Sequence, residues 1–455
     1  MLSIKPARSV QGKIDLPDSP DLFLLASIIA IASHRPVRIK IDRLTPLLEL
    51  WIDILKTHAD VEILDGTVVT VGKKTGECAA FIVLPFDILP YKDFIVFTLM
   101  SIGKVVALKN AGQKRVDAII KKAKKFGFTV QSENYSGNPG LSITDVPDVL
   151  NTAIEIYDDD VAPLAGLLLG QKKSASYLVD FHYAHPVRNV ASLFGFEFAI
   201  RSTVVKETDP LARRIKMMQG KKKSQVSSGQ QFQLILNFEN LQNAKEDILD
   251  ITLPGDEVLG AILITAKCLH SKSSFVINNL PLETWGSPVI TLLKKMGCKV
   301  SAQESSRTSF GSTGMFSIQK CDLYGRKVEC RPSQAYIPYL PSMVVLACFA
   351  EGQSVFRDLE DLRNDEPDGI DLIEHCIRTL GARHGEMPDG IVVEGGKSFD
   401  GFDITENLAP WLSGSLAVAG LKCMGDTSIE DTSLLQRWPA FNEMLAGICE
   451  FRTDK

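Results

Sequence analysis

The segment Phe181-His-Tyr-Ala-His-Pro186 places His182 and His185 three residues apart at a turn after a strand. That spacing suits two ligands for one metal ion, or an acid and a base acting on one substrate, and it equally suits two histidines on a surface turn. A second group is acidic: Asp358, Glu360, Asp361, Asp365, Glu366 and Asp368 crowd one stretch just ahead of a helix. Such carboxylates either gather a cation, a polyamine or a metal, or stay solvated and favour the positive end of the helix beginning near Ile370. A third group is basic, with Lys206, Arg213, Arg214, Lys216 and the run Lys221 to Lys223 inside residues 204–231, followed by Ser, Gly and Gln. It reads as a solvated surface excursion or as a dock for an acidic partner or phosphate. Gly166 and Gly170 ahead of Lys172, Lys173 and Ser174 imitate a phosphate loop, but the spacing is wrong and the first half is an apolar helix. The patterns HExxH, GxSxG and GxGxxG are absent.

The elements that must position these groups recur along the chain. The clearest copy runs from the strand Asp250 to Pro254 into an apolar helix, Glu257 to His270, too evenly apolar to lie on a surface. A strand at Ser274 to Asn278 follows, then a helix from Ser287 to Met296 stopped by Gly297. Val328 to Cys330, the helix Tyr339 to Ala350, the strand Ser354 to Arg357 and the helix Ile370 to Leu380 repeat the order. So do Phe81 to Pro85, the helix Tyr91 to Ile102, Val105 to Leu108 and the helix Arg115 to Phe126. Looser copies start near Lys13, Ala153 and Phe402. Six such units in 455 residues exceed what one core can hold, so two domains of three units are expected, with a linker near Pro254-Gly255-Asp256.

Composition narrows the function classes. Apolar residues make up 45% and charged residues 23%, as in ordinary globular domains. A net charge of −5 gives no reason to expect a nucleic acid partner. The longest apolar run, Leu22 to Ala32, is too short to span a bilayer and lacks the marks of a signal peptide, so no membrane partner is expected and it reads as a buried first helix. The nine cysteines form no CxxC pattern, which points to reduced structural thiols and a cytoplasmic location.

Gly12-Lys-Ile-Asp-Leu-Pro17, the Pro254-Gly255-Asp256 crossover, Phe349-Ala-Glu-Gly352 with Leu359 to Arg363, and Leu380-Gly-Ala382 with Pro388 to Val392 together resemble the 5-enolpyruvylshikimate-3-phosphate (EPSP) synthase family of enolpyruvyl transferases. The resemblance is strongest from Asp250 to Val393. It implies an α/β fold, a two-domain inside-out α/β barrel of six βαβαββ units, three per domain, closing on a cleft. The implied domains are residues 19–254, and residues 1–18 with 255–455. The family's reaction moves the enolpyruvyl group of phosphoenolpyruvate onto a hydroxyl of a phosphorylated acceptor, with no metal or other cofactor. Its cleft must therefore grip phosphates and a carboxylate with lysines and arginines.

At the matching turns this chain departs from that pattern. The first signature's lysine, serine and arginine fall on Pro20, Asp21 and Leu25, and the second signature's asparagine and glycine on Asp87 and Leu89. The next arginine is kept as Arg115. The acceptor-gripping serines and glutamine fall on Asp160, Val161 and Ala162, a further serine on Ala184, and the catalytic aspartate on Pro338. In the late loop the equivalents are Asp361, Asp365, Glu366 and Gly369, so Glu366 alone keeps its type and is the candidate catalytic residue. Pro410, Trp411 and Gln436 replace the last histidine, arginine and lysine. The resemblance also turns His182 and His185 towards the cleft and sets the acidic loop near Asp160.

A charged contact to phosphate contributes roughly 1.5 to 3 kcal/mol, so losing even three would weaken binding by several orders of magnitude. Asp21, Asp87, Asp160 and Asp365 would moreover repel a dianion. The expectation is a non-catalytic or regulatory relative that has lost phosphoenolpyruvate and shikimate 3-phosphate binding. It would take a small molecule in the cleft, through Arg115, Asp160, His182, His185, Asp361 and Asp365, or a protein partner. The alternative is a divergent transferase with another acceptor. The sequence leaves the oligomeric state open.

Overall fold

The computed structural model describes the whole chain except residue 1 and residues 148–153, 180–184, 204–230, 244–246, 271–273, 283–287, 319–321, 332–335, 366, 397, 431–432 and 453–455. His182, Glu366 and the basic stretch up to residue 230 therefore lie outside the described residues.

Two separate apolar clusters form the interior. One runs from Leu22 to Leu253 and adds Phe310; the other takes Leu2 to Leu16 and then Val258 to Ile448. The first lobe carries α1 (Pro20–Ser33), α2 (Pro46–Lys56), α3 (Lys92–Ser101), α4 (Gln113–Lys125), α5 (Asp158–Gln171) and α6 (Val187–Phe194). The second carries α7 (Glu257–Leu269), α8 (Pro288–Lys295), α9 (Leu340–Cys348), α10 (Gly369–Thr379), α11 (Pro410–Gly420), α12 (Ser433–Arg437) and α13 (Phe441–Ile448).

The unit is plainest where Phe81–Pro85 runs parallel to Val105–Lys109, which pairs antiparallel with one arm of the hairpin Thr129–Tyr135 and Asn138–Asp145. Lys327–Glu329, Gln353–Arg357, Gly390–Glu394 and Arg383–Met387 repeat that order in the second lobe. In each unit one helix is apolar all round and one is amphipathic. α1 is buried from Leu22 to Ala30, whereas α2 buries only the stripe Leu47, Leu48, Trp51, Ile52 and Leu55. The all-apolar helices α1, α3 and α5 pack on one another, as do α7, α9 and α11, and the sheets close around each trio. This is the six-unit α/β architecture the repeat implied.

Local chemistry explains the helix starts. Ser19 caps α1, its hydroxyl accepting from the Leu22 amide at 3.3 Å, and Pro20 at the first position gives up an amide that would have no helical partner. Tyr91 sits at φ 47°, in the left-handed region, so α3 starts at Lys92 rather than at Tyr91. Gly166 and Gly170, the pair that imitates a phosphate loop, are packing residues of α5 instead. A Cβ on Gly166 would lie 2.6 Å from the Phe94 carbonyl oxygen and 2.9 Å from the Thr98 nitrogen of α3.

The chain passes between lobes twice, and the two passes touch. Asp18 bridges Gly255, the Ser19 amide donates to the Pro254 carbonyl at 3.0 Å, and the Asp256 amide donates to the Pro17 carbonyl at 2.7 Å. The segments next to the passes close sheets within their own lobes: Gly12–Asp15 runs parallel to Phe275–Pro281 in the second lobe, and Leu249–Thr252 parallel to Val37–Lys40 in the first. Among the described residues no helix is long and apolar enough to cross a membrane.

Candidate functional site

The groups that combine charge with burial gather where the two lobes meet. Arg115, third residue of α4, is only 1% exposed and reaches across to the loop before α10. Its Nε donates to Asp365 at 2.8 Å, Nη1 to the Asp361 carboxylate at 3.2 Å, and Nη2 to the Asp361 carbonyl at 2.9 Å. Burial opposes the guanidinium's charge, but Asp365 and Asp361 outweigh it and hold the proton more firmly than in a free arginine. Asn364 and Arg363 brace the loop: the Asn364 amide donates to Asp361, and Arg363 donates to Asp368 and to the Pro388 and Met387 carbonyls. Asp368 in turn caps α10 through the Ile370 amide at 2.8 Å.

A second buried cluster lies at the crossover. Arg437 at the end of α12 grips Asp21 of α1 with two parallel bonds of 2.9 Å, and its Nη2 also donates to Asp256 at 3.1 Å. Trp438 Nε1 donates to the same Asp256 oxygen at 2.8 Å, while the other oxygen caps α7 through the Val258 amide. Burial raises the Asp21 carboxyl above its ordinary range, Arg437 draws it back, and Asp256 pushes it up again. Beside this cluster the Tyr339 hydroxyl donates to Glu257 at 3.0 Å.

Along the same side of α4, Lys122 donates to Asp93 of α3 at 2.7 Å and Lys125 to Asp160 of α5. Asp160 also accepts from the Tyr157 amide at 2.9 Å, so its carboxylate closes the first turn of α5. Asp87 accepts from the Asn110 side chain at 3.1 Å. The four acids expected to repel an anion all accept hydrogen bonds within the chain: Asp21 from Arg437, Asp365 from Arg115, Asp160 from Lys125 and Asp87 from the neutral Asn110 amide.

Of the expected site residues, Arg115, Asp361 and Asp365 come together in one bonded group, and Asp160 lies on the neighbouring helix. His185 is elsewhere: its ring is buried against Tyr91, Phe94 and Phe198 at centroid separations of 5.5, 5.4 and 6.0 Å. Desolvation pushes its pKa down to about 3, so it is a neutral ring of the first lobe's interior. Its sequence partner His182 and the catalytic candidate Glu366 lie outside the described residues. Among the described residues no cluster of three or more His, Cys, Asp or Glu side chains fits a metal ion.

Sequence reasoning passed over Arg437, Lys122 and Lys125. The lysines carried a usable signal, since Arg115, Lys122 and Lys125 follow one another at helical spacings of seven and three and so share a face. Arg437 had none beyond its place next to Gln436.

Between the lobes lies a cavity of about 720 Å³, walled by Phe86, Ile88, Leu340, Leu362 and Trp411 and reached by Lys92 and Lys109. A smaller space of about 280 Å³, lined by Asp158, Asp159, Asp160, Arg331, Asp358, Glu360 and Asp361, borders the Arg115 group.

Two lobes of three units each are the fold this chain shares with enolpyruvyl transferases of known structure. The EPSP synthase (3-phosphoshikimate 1-carboxyvinyltransferase) family model matches residues 239–445, and the chain resembles that family there. Among curated relatives, the 3-phosphoshikimate 1-carboxyvinyltransferase of Acaryochloris marina is 28% identical over 179 residues, 39% of this chain and 40% of that protein. The enzyme of that name from Desulforamulus reducens is 26% identical over 201 residues, 44% of this chain and 47% of that protein. The matched stretch thus spans less than half the length of these relatives. Among solved structures, EPSP synthase from Acinetobacter baumannii superimposes with a TM-score of 0.65 at 17% identity, covering 99% of this chain and 98% of that one. The enolpyruvyl transferase NikO from Streptomyces tendae gives 0.61 at 15% identity, covering 99% and 98%. At these identities the structural likeness defines the fold alone.

Proposed function

We propose that this chain is an EPSP-synthase-like protein that no longer binds phosphoenolpyruvate with shikimate 3-phosphate and serves as a non-catalytic, small-molecule-binding or regulatory relative in the cytoplasm. One observation carries the reading: each buried arginine at the lobe junction already has two carboxylates of its own chain, Asp361 and Asp365 on Arg115, and Asp21 and Asp256 on Arg437. A phosphate would have to displace bonds each contributing roughly 1.5 to 3 kcal/mol, and would leave the displaced carboxylates buried beside it. The location is supported by the described cysteines, which are mostly buried and form no disulfide with one another.

The test is calorimetric titration and thermal shift with phosphoenolpyruvate and shikimate 3-phosphate, against inorganic phosphate, together with an assay for phosphate release. The reading expects no shift beyond that of phosphate and no turnover. A larger shift with phosphoenolpyruvate, or turnover, would overturn it. The second reading, a divergent enolpyruvyl transferase with another acceptor, draws on the likeness to NikO and on the 720 Å³ cavity in the same cleft. It expects phosphate release from phosphoenolpyruvate once the acceptor is supplied.

A further inference from the structure

We propose that the interlobe cavity is a site for a small aromatic monocarboxylate, with Lys92 pairing with the carboxylate and Phe86 and Trp411 flanking the ring. The proposal deepens the reading of the cleft as a small-molecule site and rests on it. The volume of about 720 Å³ lies within the range of pockets that enclose a compact organic ligand. Its walls come from both lobes and are mostly apolar, with Ile54, Phe86, Ile88, Leu340, Leu362 and Trp411 among them. Such walls reward an apolar body, and the polar side chains among them besides lysine, Asp87, Asn110, Asp365, Asn407, Ser433 and Gln436, are the minority.

Lys92 supplies the charge. Its ammonium lies 4.4 Å from the Phe86 ring centroid and makes no hydrogen bond or ion pair with a described residue. The neighbouring charges differ in this respect. Asp365 is held by Arg115 and Asp87 by Asn110, so neither closes on the lysine. Desolvation lowers the Lys92 pKa, Asp365 pulls it back up, and Arg115 opposes Asp365. A cation half withdrawn from water with only a ring face against it gains from an anionic partner. Lys109 also lines the cavity but is exposed, so the one partly buried ammonium, Lys92, matches one carboxylate on an apolar body better than a phosphate dianion. Two helices add to the preference, because α3 and α11 both start at this cavity without a capping side chain.

The experiment is isothermal titration of the full chain with 3-phenylpropionate and, separately, with the neutral alcohol 3-phenyl-1-propanol. It is repeated with Lys92→Met, Lys92→Arg and Trp411→Leu. Wild type should bind the acid, Lys92→Met should weaken it about ten- to hundred-fold, and Lys92→Arg should recover most of the loss. The alcohol should bind Lys92→Met as well as or better than wild type, and Trp411→Leu should weaken both ligands. No acid binding by wild type, an unchanged acid affinity in Lys92→Met, or an equal loss for the alcohol would overturn the proposal. Phenylpropionate binding without phosphoenolpyruvate binding supports both readings. Phosphoenolpyruvate binding alone sinks both, and neither ligand binding sinks this one only.

Discussion

Arg437 bonds to two carboxylates that arrive from different lobes, and all three groups are buried. Removing the arginine leaves Asp21 and Asp256 facing each other in a dry site, so Arg437→Met should destabilise the protein by about 3–5 kcal/mol, read as a lower urea midpoint. Exchanging the whole group for apolar residues of similar volume should cost far less, because the burial penalty of the ions goes with them. His185 presents the opposite case. A neutral ring among aromatic rings needs no charge, and its Nδ1 accepts from the Val187 amide at 3.3 Å, so His185→Phe should cost about 1–3 kcal/mol at pH 8. Relative to wild type the variant should gain stability as pH falls below about 6.5, where the unfolded chain protonates this histidine and the folded chain does not. The sequence pattern HisxxHis suggested chemistry at a turn; burial against Phe94 decides that His185 acts as a ring of the core. Residue type and spacing were legible there, and the dielectric around them was not.

Helix to helix, the first lobe depends on how closely α5 can approach α3. Gly166 has backbone atoms of α3 where a side chain would start, and backbone cannot rotate away. Gly166→Val should therefore lower stability by at least about 1–3 kcal/mol, measured by chemical denaturation. The crossover supplies a pH-dependent element. The Asp42 amide donates to the Asp18 carboxylate at 2.9 Å and the Asp18 amide to Asp42 at 3.2 Å, which brings two acids together beside the Gly255 bridge. Desolvation first, and then Asp42, raise the Asp18 pKa from 3.8 to about 7. The folded state thus binds this proton more tightly than the unfolded chain does. Its contribution to stability is full below about pH 4 and is lost as pH rises to about 7. Asp18→Asn should leave the melting temperature little changed at pH 4 and raise it relative to wild type at pH 8, as read by calorimetry across that range. The elements themselves were close to their expected bounds, because apolar runs such as Leu22 to Ala32 have one physical outcome in water. The starts that moved did so by one or two residues: α3 begins at Lys92 instead of Tyr91, whose backbone is left-handed, and α4 at Gln113 instead of Arg115.

Across the whole molecule, ion pairs tie lobe to lobe at two separate places, Arg115 with the loop before α10 and Arg437 with Asp21. These pairs favour an arrangement in which the two lobes stay joined. Arg115→Ala leaves Asp361 and Asp365 without their partner and removes about 3–5 kcal/mol from that closure. Small-angle scattering should then show a larger radius of gyration, with far-ultraviolet circular dichroism unchanged. An unchanged radius would mean that the apolar contacts of the junction hold the lobes together without the pair.

By itself the sequence determined the six-fold unit and the buried apolar helices at its centre. Those features follow from periodicity and residue type, which are local. Only the tertiary structure decided what the substituted acids do. Asp21 and Arg437 are 416 positions apart, and Arg115 and Asp365 are 250 apart. Coulomb attraction depends on distance and on the exclusion of water, and neither is written in the spacing of residues along a chain. Of the acids read as repulsive, Asp21 and Asp365 are held in the fold by Arg437 and Arg115, Asp160 by Lys125, and Asp87 by the Asn110 amide.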